Sequence, residues 1–200
     1  MSLSRKVYIA VGYALSGWMA FTLQPGFGSM LEQWDTAKLT KESKGIRIGE
    51  VTSKWSSWDP ARGMVYTYVK LNVSETLKGI HQKEVLLRIP GGETEGIRMV
   101  VHGMASFGLG EKALVFTGLD EEGAPYITGW TQGKFKIVSD RSSGQDMALF
   151  QAPSNVEFYT RAQKGQVKHV VATHVERRLP LKELIREIQT AVRMEVEVTR

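Results

Sequence analysis

The chain contains no cysteine. Disulfides, thiolate metal sites and cysteine nucleophiles are therefore excluded together. Proline is scarce, at six in 200 residues, which excludes proline-rich extended architectures. Charge is missing from the beginning of the chain, where Arg5 and Lys6 are the only charged residues before Ser29. No apolar run exceeds the 17 residues from Val7 to Leu23, so a protein with several membrane-spanning helices is excluded. No internal repeat is present. The order G-x-x-x-x-G-K-[ST] that cradles phosphate is absent, and Gly108-Leu109-Gly110-Glu111-Lys112 reads as a turn. The G-x-S-x-G nucleophile elbow is absent too. Ser106 in HGMASFG lacks the first glycine, and a strand pattern follows it where a helix is required.

Hydrophobic residues make up 42% and charged residues 24%, the balance of a folded globular chain. The net charge of +5 sits at the ends. Residues 161–200 carry nine Lys or Arg against five Glu, whereas residues 29–160 carry fifteen basic and sixteen acidic side chains. A nucleic-acid partner requires a basic face on the folded part, so none is expected.

Residues 1–28 have the layout of a secretory signal peptide. The short positive start at Arg5-Lys6 leads into the uncharged run, and Pro25, Gly26 and Gly28 end it. Cleavage is expected after Gly26-Phe27-Gly28, before Ser29. An uncleaved anchor and a buried helix are the alternatives. The first two place the rest of the chain outside the cytoplasm, in the periplasm or medium, with membrane contact only through an uncleaved segment.

Residues 29–44 read as a linker or short helix. Residues 45–150 read as one β-domain. In TYVKLNVSETLKG, Val69, Leu71 and Val73 alternate with Tyr68, Lys70 and Asn72, the period of a half-buried strand. Ile46 to Val51 precede it as a strand that breaks near Ser56–Pro60. Val85, Leu87 and Ile89 follow, then Ile97, Met99 and Val101. KALVFT, residues 112–117, is a continuous apolar run expected of a central strand. Pro125–Trp130 is another strand. Lys134–Val138 and Met147–Phe150 flank a turn at Asp140–Gly144. Residues 151–179 are irregular or a hairpin across Lys164-Gly165. Residues 180–194 form an amphipathic helix, with Leu181, Leu184, Ile185, Ile188 and Val192 on one face. Short strands without intervening helices predict a small closed barrel, or alternatively a sandwich.

Catalytic signals are sparse. His169 and His174 are five apart, on opposite faces of a strand or about 140° apart on a helix, so they make no two-ligand metal site. No metal, cofactor or catalytic residue is expected. The aromatic residues Trp55, Trp58, Tyr66 and Tyr68, with Phe107 in the glycine-rich 103–110 loop, are the candidate binding surface, the alternative being that they pack into the core or barrel; Trp130 follows later in the chain. The expected partner of that surface is an extracytoplasmic protein or peptide. The competing expectation is an enzyme, which requires two or more of His102, Glu93, Glu95 and Asp120 to converge in one pocket.

The segments IGEVTSKWSSWD, VYTYVKLNVSETLKG, EVLLRIPGG, FGLGEKALVF and GWTQGKFKIV resemble a group of uncharacterised exported bacterial proteins. Their β-domain is similar to the netrin-like barrel of the tissue metalloprotease inhibitors, an OB-type fold. The resemblance covers about residues 45–140 and implies a barrel with a binding mouth. Inhibition in that family depends on an N-terminal cysteine that chelates zinc. This chain has none, so that mechanism does not carry over.

Overall fold

The structure is a computed structural model, and it describes residues 29–154, 156–161, 167–170 and 176–198. The expected signal segment, residues 1–28, and His174 lie outside the described residues. The fold is mainly β and ends in a helix. Ser29–Glu32 is strand β1 and Thr36–Glu42 helix α1. Both lie in the expected linker. Asp35 caps the helix by accepting a hydrogen bond from the Lys38 N–H at 2.7 Å.

The long hairpin of β2 (Gly45–Asp59) and β3 (Met64–Lys78) dominates the chain. β2 does not break at Ser56. Its last residues pair with the start of β3, Ser56 opposite Thr67 and Asp59 opposite Met64. The Asp59 carboxylate then accepts from the Ala61 and Arg62 N–H groups at 3.0 and 3.2 Å and closes the turn. β4 (Glu84–Pro90) pairs with β3. Gly91 and Gly92, with φ of 96° and 140°, then turn the chain out of the sheet. The expected strand at Ile97–Val101 is accordingly only one arm of a small hairpin, β5 (Gly92–Thr94) with β6 (Ile97–Met99).

Next come β7 (Lys112–Leu119), β8 (Pro125–Ile127), a 3-10 turn at Trp130–Gly133, β9 (Lys134–Ser139) and β10 (Asp146–Gln151). β11 (Val156–Arg161) and β12 (Val167–Val170) form the antiparallel pair expected there. β13 (Glu176–Pro180) leads directly into α2 (Leu181–Val198). The main sheet runs β13-β10-β9-β7-β2-β3-β4, with β8 on the second half of β7. β1 runs parallel to β11 in a second sheet. Among the described residues no sheet closes into a barrel. β4 and β8 lie side by side but share no backbone ladder.

Two apolar cores flank β2 and β7. On one side Ile46, Ile48, Leu114 and Phe116 meet Phe135, Phe150 and Phe158, covered by Leu39 of α1 and Leu184 and Ile188 of α2. On the other, Val51, Ala113 and Val115 meet Val69, Leu71, Leu87, Ile89 and Ile127, covered by Ala105 and Phe107. β7 is buried on both faces from Ala113 to Gly118. That is why its sequence is continuously apolar where its neighbours alternate.

Candidate functional site: an aromatic cleft beside the seam of β4 and β8

The expected aromatic surface is taken apart. Trp55 and Tyr68 are directly opposite across the hairpin, and their rings stack 5.5 Å apart with 16° between planes. Tyr66 shares their face of β3, two residues on. Trp58 pairs with Val65 and, three residues from Trp55 on an unbroken strand, points to the other face. Phe107 is only 5% exposed. Lys134 holds it there: its ammonium lies 5.1 Å over the ring, pairs with Glu111 and donates to the Ser106 carbonyl at 2.8 Å. Glu111 in turn accepts from the Gly108 N–H at 3.0 Å, which ties down the glycine-rich loop.

The topology assembles a different group. A cleft of about 450 Å³ lies beside the seam of β4 and β8, lined by Trp34, Tyr66, Arg88, Asp120, Tyr126 and Trp130 among others. Three of the four rings are seated. A Cβ on Gly118 would come within 2.5 Å of the Tyr126 ring, so that ring rests on bare backbone. Trp34 packs against Gly129, is covered by Lys38 at 4.6 Å, and donates its backbone N–H to Gln132 Oε1 at 2.8 Å. Tyr66 carries the Arg88 guanidinium 5.1 Å over its ring.

Trp130 stands at positive φ, 63°, and is 45% exposed. A bulky side chain in the left-handed region costs about 1–2 kcal/mol. That cost is carried here by a residue with half its ring in solvent, and strain of this kind clusters at ligand sites.

The charges around the cleft are tied into one network. Arg88 pairs with Asp120 and donates to Glu122 at 2.9 Å. Glu122 also meets Arg62, which bonds Asp59 at 2.6 Å. The Arg62 hydrogen bond holds Asp59 below the ordinary carboxylate range, and Asp59 raises Arg62 in turn. Asp120 Oδ1 accepts from the Glu122 and Ala124 N–H groups at 3.0 and 2.9 Å, fixing the loop that presents both carboxylates.

The residues proposed for an enzyme are not gathered here. Asp120 lines the aromatic cleft, whereas Glu93 lines a separate groove with Lys54 and Arg98. Among the described residues no group of three or more His, Asp or Glu is placed to hold a metal ion. No helix among them is long and apolar enough to cross a membrane.

Sequence reasoning missed Trp34, Arg88, Tyr126 and Trp130 as members of one site. They are far apart in the chain, and the available signals were indirect: Gly129 before Trp130, and Gly118, which sits opposite Tyr126 in the β7–β8 pair. Comparison with known proteins finds no matching family model, no matching curated protein and no matching solved structure.

Proposed function

We propose that the protein is an exported binding module whose ligand site is the aromatic cleft. The observation that carries this reading is the convergence of Trp34, Tyr66, Tyr126 and Trp130, drawn from four separate segments, around one cavity. Rigid aromatic side chains bury large areas at little entropic cost, so pre-positioned rings favour binding. A mostly apolar cleft with a few fixed polar groups is the usual form of a ligand pocket. Of the two carboxylates that line the cleft, Asp120 is engaged with the Arg88 guanidinium. The sequence supplies the export half of the proposal through residues 1–28. The netrin-like resemblance is part of the proposal; β2, β3, β4, β7 and β8 contribute to one core, and that is its only support.

The test compares two tryptophans. Wild type, Trp130→Ala and Trp58→Ala are passed over an array of immobilised glycans and peptides. Retention of a ligand by wild type and Trp58→Ala, with loss in Trp130→Ala, is the expected outcome. Loss in Trp58→Ala alone moves the site to the other face, and retention of nothing by wild type removes the binding reading. Export is checked by mass: expression in a Gram-negative host should yield a chain beginning near Ser29 outside the cytoplasm, and an intact Met1 in the soluble cytosolic fraction refutes it.

A further inference from the structure

The cleft does not end at its own walls. Tyr66 and Tyr68 lie on one face of β3, about 7 Å apart at two residues' rise. Arg88 lies opposite Tyr68 on β4, and its guanidinium sits over Tyr66. Trp55 lies one strand further out, stacked on Tyr68. A strip therefore runs from Trp55 and Tyr68 past Arg88, whose guanidinium covers the buried Tyr66, into the cleft at Tyr126 and Trp130. It has solvent-exposed rings at both ends: Trp55 is 45%, Tyr126 40% and Trp130 45% exposed. Two aromatic stations separated by a hydrogen-bonding cluster suit a repeating ligand better than a single small molecule.

We propose that this strip binds a neutral linear glycan; the inference rests on the cleft being the binding site. Charge selects the class. The cluster holds three carboxylates, Asp59, Asp120 and Glu122, against two guanidinium groups, Arg62 and Arg88. Glu42 adds another carboxylate to the cleft lining. A polyanion such as an acidic glycan or a nucleic acid meets net negative charge there and is rejected.

A neutral sugar meets what it needs. The C–H face of a pyranose ring lies flat on an aromatic ring, and its hydroxyls both donate to carboxylate oxygens and accept from guanidinium N–H groups. A carboxylate has about four lone-pair sites and a guanidinium five donors, so ion pairing leaves capacity for hydroxyls, and such bonds are charge-assisted. A peptide strand is less well served. Adding a strand requires a free sheet edge, and β8 lies alongside the outer edge of β4 at this seam.

Calorimetric titration of the purified protein tests the class. The probes are a β-1,4-glucose hexasaccharide, an N-acetylglucosamine hexasaccharide, the corresponding trisaccharides, a heparin hexasaccharide and a proline hexapeptide. At least one neutral hexasaccharide should bind, at least tenfold more weakly to Trp55→Ala and to Trp130→Ala and unchanged to Trp58→Ala. Its trisaccharide should bind more weakly and be indifferent to Trp55→Ala. Trp55→Phe and Trp130→Phe, which keep a ring, should recover most of the affinity, separating a lost platform from a lost fold. Failure of both neutral hexasaccharides overturns the proposal, as does preference for heparin. Binding of the proline peptide in their place, weakened by Trp130→Ala, overturns the glycan class and leaves the cleft as the binding site. Neutral glycan binding undiminished in both alanine variants overturns the strip itself.

Discussion

Leu86 and Leu87 are the same residue one position apart on β4, and the fold treats them oppositely. Leu87 is fully buried against Val69 and its neighbours, whereas Leu86 is 43% exposed opposite Lys70. A one-residue slip of β4 would exchange them, because side chains alternate strictly between faces. Truncating a buried leucine to alanine costs about 2–5 kcal/mol, from lost transfer energy and the cavity left behind. Leu87 has no exposed surface, and the ladder from β3 restrains β4 from collapsing into the gap, so the middle of that range, about 3 kcal/mol, is expected. Leu86→Ala removes a half-solvated side chain and should stay within about 0.5 kcal/mol. For a urea dependence of about 2 kcal/mol per molar, Leu87→Ala lowers the unfolding midpoint by about 1.5 M and Leu86→Ala by at most about 0.25 M. Urea unfolding followed by tryptophan fluorescence measures both, with an unchanged slope as the check that compactness is unaltered. Equal shifts for the two variants, or the larger shift in Leu86→Ala, would refute the register and with it the face on which Arg88 and the strip are placed.

Two further predictions concern charges. Arg47 is buried on β2, and burial lowers its pKa; it donates to Thr117 Oγ1 at 3.1 Å and to the Ile80 carbonyl at 3.1 Å, with no carboxylate partner among the described residues. Thr117 keeps its own acceptor at the Gly45 carbonyl, 3.0 Å away, so Arg47→Met leaves no buried hydroxyl orphaned and should lie within about 1 kcal/mol of wild type. Gly45→Ala, whose methyl would come 2.0 Å from the guanidinium, should lose about 1–3 kcal/mol, and urea midpoints in the opposite order refute the packing described. In the β9–β10 turn, the Ser142 hydroxyl, the Ser142 and Ser143 N–H groups and, more weakly, Arg178 lower Asp140 to about 2, from an ordinary 3.8. A depressed folded value means stabilisation that is complete above about pH 4 and lost as pH falls toward 2. The stability difference between wild type and Asp140→Asn should therefore shrink across that window in urea titrations, and a difference that grows on acidification refutes the assignment.

Much of the fold is legible in the chain because the side-chain period is local. The alternation through Val69 and Leu71, the two-faced burial of KALVFT and the helical stripe of Leu181, Leu184 and Ile188 depend only on which neighbours share a face, and a strand or helix imposes that wherever it lies. The turn at Asp140 is local too, since its carboxylate binds backbone two and three residues on. The mistaken end of the first strand came from reading Ser56–Pro60 by composition, when pairing with Met64–Thr67 kept Ser56–Asp59 extended. That error also hid the opposite facing of Trp55 and Trp58. What tertiary structure alone decided is which distant rings meet. Trp34, Tyr66, Tyr126 and Trp130 carry no shared spacing; they converge because β8 folds back along β7 to lie beside β4, and because Gly118 and Gly129 leave room for rings to sit against backbone. Phe107 was lost to the surface for the same reason: it packs in the core with Val51, Val115 and Ile127, beneath the ammonium of a lysine 27 residues later in the chain.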